Sequence, residues 1–332
     1  MARFITILGF SVFFASIPIG LFLATLDWIG LESREPAWRL ALAVLWGAAG
    51  GVALGLLWST GLGLPLELLL TGEDRHLVET VFTVPLAEEL AKGVVFVFLL
   101  RWRRIASPLV GLLHGVAAGL GFAMTENFAW FLHTWLQQGD QAWFLSVVLR
   151  TFFSGILHAA ATGVWGAALG LAMANSRPWV GRLVPYAGLV AALALHGGWN
   201  LAFTLSGVTG EALPAGVGLL SVPIVVAVMI GLAWACMQWE RRVIRAELAA
   251  EERAGHLPEN HARILARPRT RRQDGWLPDG ADRRRYVRTA MSLVTLRRNV
   301  RADGGDPDAG DHEGVQALRE ALRRELDDES VS

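Results

Sequence analysis

Seven long apolar stretches decide what this chain can become. They cover roughly 4–29, 39–63, 77–100, 107–133, 142–174, 184–206 and 216–238, and about twenty apolar residues in a helix are enough to span a bilayer. Lipid offers no partner for backbone N–H and C=O groups, so each stretch must close its own hydrogen bonds as a helix. The expectation is an all-α polytopic membrane protein, a bundle of about seven transmembrane helices, or eight if the long 142–174 run holds a break. Arg3 ahead of the first stretch gives it a signal-peptide look. It is too long for such a segment and has no convincing small-residue cleavage site, so it counts as a span.

Composition agrees and adds a boundary. Hydrophobic residues make up 53% of the 332 and charged residues 18%, against about 45–50% and 25% in soluble proteins. Residues 1–238 hold 11 Lys+Arg and 12 Asp+Glu, and 239–332 hold 19 and 18, which together make the 30 and 30 of the whole chain. The expected organisation is therefore a helical bundle over 1–238 that carries the active site, and a charged, partly disordered tail over 239–332. The zero net charge is a cancellation, and no nucleic-acid partner is expected. The single cysteine, Cys236, excludes an internal disulfide and any cysteine-based metal cluster.

Arginine bias gives the orientation. Arg34 and Arg39, then Arg101, Arg103 and Arg104, then Arg177 and Arg182 fall in alternate loops, whereas 64–76, 134–141 and 207–215 carry only Arg75. This places the chain in the cell membrane as a multi-pass protein with its C-terminal tail in the cytoplasm. Within the tail, 239–254 reads as the last span continuing as a charged helix. The stretch 255–282, rich in Pro, Gly and Arg, is expected to lack a packed core. Val315, Leu318, Leu322 and Leu326 form a one-sided stripe on a final helix.

Against this background, several ionisable residues stand where a bilayer should reject them, at a cost of roughly 2.5–3.5 kcal/mol for a charge near mid-depth. Glu88 and Glu89 are followed by Lys92, which lies four and three residues on and can pair with either on one helix face. Only eight residues separate Lys92 from Arg101, so this segment spans only if the glutamates lie near mid-depth. Pro85 removes a backbone donor just upstream and can kink the helix. One glutamate would suffice for an ion pair, so the second is a spare carboxylate.

Glu126 comes next, with Asn127 beside it. Gly111, Gly115 and Gly119 fall within about 60° of its helix face, and a glycine stripe is where helices approach closely. His158 lies in a small and polar stripe, Ser154, His158, Thr162, Gly166 and Gly170, repeating every four residues. His196 and Asn200 are one turn apart on a face extended by Gly188, Ala192 and Thr204. His114 reads as packing and Arg150 as a counter-charge.

Glutamates and histidines converging in a bundle, with no cysteine or serine-base pair, suit activation of a water. A carboxylate in a dry site can act as general base, while imidazole and amide donors stabilise the oxyanion of amide hydrolysis. Alternatively His158, His196 and Glu126 could hold Zn²⁺ with an open position for water. There is no His-Glu-x-x-His run, so such a site takes its ligands from three helices. The same groups could instead relay protons in a proton-coupled transporter, although no matching repeat of Pro85 and the Gly-rich 111–121 stretch is visible. A catalytically dead scaffold would have to keep all these polar groups for packing alone.

Four motifs in order, Glu88-Glu89-x-x-Lys92, Phe122-x-x-x-Glu126-Asn127, the helical His158 and His196-x-x-x-Asn200, resemble the PrsW family of intramembrane proteases. That family is similar to the wider superfamily of CAAX-processing and bacteriocin-processing membrane proteases. The resemblance covers about residues 77–205. It implies an intramembrane endopeptidase in which Glu88 and Glu89 activate water, His158 is a further essential polar group, and His196 with Asn200 orients water or the oxyanion. The superfamily's usual second motif has His where this chain has Glu126, a departure that fits PrsW and weighs against prenyl-protein substrates. Family members cleave anti-sigma factors, which implies a single-span membrane protein as substrate.

Overall fold

The computed structural model describes residues 1–29, 37–101, 107–175, 177–302, 304–309 and 312–327. Arg34, Arg103 and Arg104, used above for orientation, lie outside them. Among the described residues there is no strand. The long helices are α1 (Ala2–Ile29), α2 (Ala37–Leu69), α3 (residues 72–101), α4 (Pro108–Gln138), α5 (Asp140–Met173), α6 (Pro178–Thr209) and α7 (Ala212–Arg253). Six of them, all but α3, are long and apolar enough to cross a membrane. The remaining expected span, α3, is helical throughout but concentrates Glu88, Glu89 and Lys92 in two turns. The chain is thus a polytopic, all-α membrane protein.

The ends of these helices follow local chemistry. Ser107 caps α4, its Oγ accepting from the Val110 N–H at 3.2 Å, and Pro108 fills a first-turn position where no donor is needed. Gly139 (φ 81°) and Gly210 (φ 72°) take the positive φ that stops α4 and α6. The 142–174 run does not break. Instead α5 widens into a π turn at Arg150–Ser154, and two similar turns interrupt α2 at Trp46–Gly51 and α3 at Glu79–Thr83. Each such turn takes in an extra residue and is a common feature of functional sites.

The two stripes read from sequence face one another. A methyl group at Gly111 would run into the carbonyl of Gly166, one at Gly115 into that of Thr162, and one at Gly119 into that of His158. These pairs step by four residues in opposite directions along α4 and α5, an antiparallel zipper of small residues. Packing without side chains between the backbones sets the distance from α4 to His158. Gly115→Val is expected to destabilise the bundle by more than the about 1–3 kcal/mol typical of overpacking, because backbone rather than a side-chain tip would have to move. Thermal unfolding in detergent checks this against Gly61→Val, since nothing lies within 4 Å of a Cβ added at Gly61.

The chain divides into two compact units, one formed by 1–25 and 36–236 and the other by 26–35 and 237–332. In the second, the helix begun at Ala212 runs on to Arg253, as the sequence indicated. The expectation that 255–282 lacks a packed core is corrected. Leu257, Ala262, Leu265 and Ala266 are buried with Ile244, Leu248, Tyr286, Leu293, Val315 and Leu322, and Trp276 and Leu277 pack against them. Arg297 is fully buried and donates to Glu247 (3.1 Å), to Glu251 and to Asp308 (2.7 Å), while Arg319 donates to Glu251 at 2.8 Å. The hydrogen bond from Arg297 holds the Asp308 carboxyl below its usual range. An Arg-rich sequence hides its core here because several arginines are internal partners rather than solvated charges.

Candidate active site

α3 carries Glu88, Glu89 and Lys92 into the middle of the first unit, where they meet α4, α5 and α6. Glu89 and Lys92 have no solvent exposure. Glu89 Oε1 accepts from Lys92 Nζ at 2.8 Å and from His196 Nδ1 at 3.0 Å, and its Oε2 accepts from Thr162 Oγ1 at 2.8 Å. Lys92 also donates to His158 Nδ1 at 2.9 Å and lies 3.4 Å from Glu88 Oε2, with its ammonium 4.0 Å from the centre of the Phe122 ring. All three ammonium hydrogens therefore have acceptors. A buried charge is tolerable only under such complete pairing.

These contacts place a hydrogen on each histidine. Glu89 can only accept, so His196 carries a hydrogen on Nδ1, and its Nε2 lies 3.6 Å from Glu88 Oε2. A carboxylate behind one ring nitrogen is the usual way of aiming the other at a metal or a substrate. His158 is the reverse case. An ammonium donating to Nδ1 leaves the hydrogen on Nε2, which lies 2.8 Å from Glu126 Oε2. The two rings stand edge to face with centroids 4.7 Å apart.

Glu126 is held from its other side. Arg150 Nη2 donates to Glu126 Oε1 at 2.7 Å, Arg150 Nε to Asn127 Oδ1 at 3.0 Å, and the guanidinium sits 5.1 Å from the Trp130 ring centre. Glu126 Oε2 is buried without a hydrogen bond of acceptable geometry despite the nearby imidazole. Asn127 Nδ2 donates to the Arg150 carbonyl at 3.2 Å, and Asn200 Nδ2 to the Thr80 carbonyl at 2.9 Å.

The residues singled out in the sequence thus come from four helices to one place. Glu88, Glu89, Lys92, His158 and His196 touch directly, Glu126 joins through His158, and Phe122 forms a wall under Lys92. Asn127 and Asn200 bond to backbone at the rim. Arg150 is the counter-charge of Glu126, and His114 bonds to the Val110 carbonyl of its own helix. Thr162 was visible only as a member of the small-residue stripe, one turn beyond His158, yet it closes the pairing of Glu89.

A divalent cation fits this donor set. Glu88, His158 and His196 each offer one ligand atom within 4.8 Å of the others. The three differ from the set His158, His196 and Glu126 by one carboxylate, which comes from α3 rather than α4. One carboxylate and two imidazoles are ordinary ligands for zinc. Glu126 Oε2, buried and 2.8 Å from His158 Nε2, puts a further carboxylate oxygen at the same spot. Loading a cation on His158 Nε2 must displace the hydrogen there, so binding would release a proton.

Neither a curated protein nor a solved structure matches the chain. Residues 35–232, more than half of the chain and all four motifs, match the profile of the PrsW family of intramembrane metalloproteases. With those motifs converging in one buried cluster, the chain belongs to the PrsW family and is a membrane protease.

Proposed function

We propose that the chain is an endopeptidase that cuts a single-span membrane protein at a peptide bond in or near the bilayer, with Glu88 activating the water. The observation that carries this reading is the division of labour between adjacent carboxylates. Glu89 is closed off on both oxygens by Lys92, His196 and Thr162, whereas the Glu88 side chain retains 14% exposure and only long contacts to Lys92 and His196. Glu88 is free to accept a proton from water as the oxygen adds to the scissile carbonyl. That proton then passes to the amine nitrogen as the C–N bond breaks. Glu89 holds His196 through Nδ1, so that Nε2 stays aimed at the reacting position. Lys92 supplies a fixed positive charge beside the developing oxyanion.

Glu88, His158 and His196 would hold a divalent ion through one atom each, Zn²⁺ being the best match to the donor set, and the second Glu88 oxygen would stay available as the base. When bound, it supplies Lewis-acid polarisation and lowers the pKa of water. Family membership supports an anti-sigma-factor-like substrate, and the ordering of the motifs supports kinship with CAAX-processing proteases. The arginine distribution supports a cytoplasmic tail. In membranes from cells that make the chain, cleavage of a single-span protein is expected to stop with 1,10-phenanthroline and to return with added Zn²⁺. Cleavage that persists under chelation would assign the reaction to the carboxylates alone.

A further inference from the structure

Pro85 leaves a gap in the hydrogen-bond ladder of α3. Just before it, the Val84 N–H bonds to the Glu79 carbonyl five residues back, the wide ring of a π turn. At the same spacing the donor to the Thr80 carbonyl would be the nitrogen of Pro85, which carries no hydrogen. A packed carbonyl without a partner costs about as much as a lost hydrogen bond, and lipid offers no donor in compensation. Asn200 supplies one, with Nδ2 2.9 Å from the Thr80 oxygen. The approach of α6 depends on Gly197, where a side chain would collide with the next carbonyl, that of Val81. One turn before Asn200 on the same helix, His196 Nδ1 meets Glu89.

We propose that Asn200 is a positioning residue: it caps the carbonyl that Pro85 frees and, with Gly197, seats α6 on α3 so that His196 reaches Glu89. This role differs from the orientation of water or an oxyanion that the family resemblance implies for Asn200. The other two π turns also receive a side-chain donor, although the Arg150 carbonyl keeps a backbone partner as well, the Gly155 N–H. Thr125 Oγ1 donates to the Ala48 carbonyl at 2.8 Å within Trp46–Gly51, and Asn127 Nδ2 donates to the Arg150 carbonyl within Arg150–Ser154. A widened turn in each of three helices is thus tied by a polar side chain from a neighbouring helix.

The test is a four-chain cycle of the parent, Pro85→Ala, Asn200→Ala and the double variant, purified in detergent. Pro85→Ala restores an N–H for the freed carbonyl and should make Asn200 dispensable. Two quantities are read: the unfolding temperature, and the imidazole ¹⁵N signals of His196, assigned by their loss in His196→Gln. Asn200→Ala is expected to lower the unfolding temperature and move the His196 signals in the parent. In the Pro85→Ala background both effects should fall to a third or less. Equal effects in the two backgrounds, or His196 signals that Asn200→Ala leaves in place, would overturn the proposal. If Asn200→Ala does not fold, Asn200→Asp replaces it, and recovery of folded protein on adding Pro85→Ala counts in favour. Neither readout uses proteolysis, so the outcome is independent of the reaction at the site.

Discussion

Glu88→Gln is expected to reduce cleavage by roughly 10²- to 10⁴-fold, the usual contribution of a positioned general base, while leaving the folded protein nearly as stable as the parent. Its carboxylate gives Lys92 only the longest of three contacts, at 3.4 Å, and the other two, to Glu89 and His158, remain. The substitution is nearly isosteric, and the side chain is partly open, so no buried charge loses its main partner. Size-exclusion profiles and unfolding temperatures of the purified variant, set beside its cleavage rate, separate the two quantities. A variant that cleaves at the parental rate would remove Glu88 from the reaction.

Glu89→Gln should differ in its effect on the fold. The change neutralises the carboxylate that pairs with Lys92 at 2.8 Å with neither side chain exposed, leaving an ammonium in the bundle with weakened compensation. Breaking a buried pair from one side typically costs about 3–5 kcal/mol. The expected result is a large loss of folded protein together with activity. Removing the cation as well tests the cause. Glu89→Gln combined with Lys92→Met should recover much of the folded yield, since replacing both members of a buried pair with neutral groups is often tolerated. Activity should stay absent, because His196 and His158 have lost the groups that orient them. Failure of Lys92→Met to improve folding would show that the pairing is not what Glu89 contributes.

How much of this was legible beforehand differs by element. The glycine stripe of α4 and the small-residue stripe of α5 could be read because four-residue spacing puts such residues on one helix face, and the two stripes turned out to be each other's partners. The assignment of Lys92 between two glutamates was likewise local. The unequal roles of Glu88 and Glu89 were not, because they depend on Thr162 and His196, which arrive from distant segments. The π turn before Pro85 had only a proline as its signal, and a proline alone does not say which residue will cap the freed carbonyl. In the tail, Leu257, Ala262 and Leu265 are scattered among arginines without a clear period, so their joint core with Tyr286 and Leu293 exists only once the segments have met.

The most direct measurement compares membrane-protein fragments in cells that make the intact chain or Glu88→Gln at matched levels. The account predicts that at least one single-span membrane protein is cut only with the intact chain, at a bond in or near its span. It further predicts that this same protein is cut by the purified intact chain in vesicles and not by the variant. Identical fragment profiles, together with vesicles in which the intact chain carries protons or solute and Glu88→Gln does not, would contradict it.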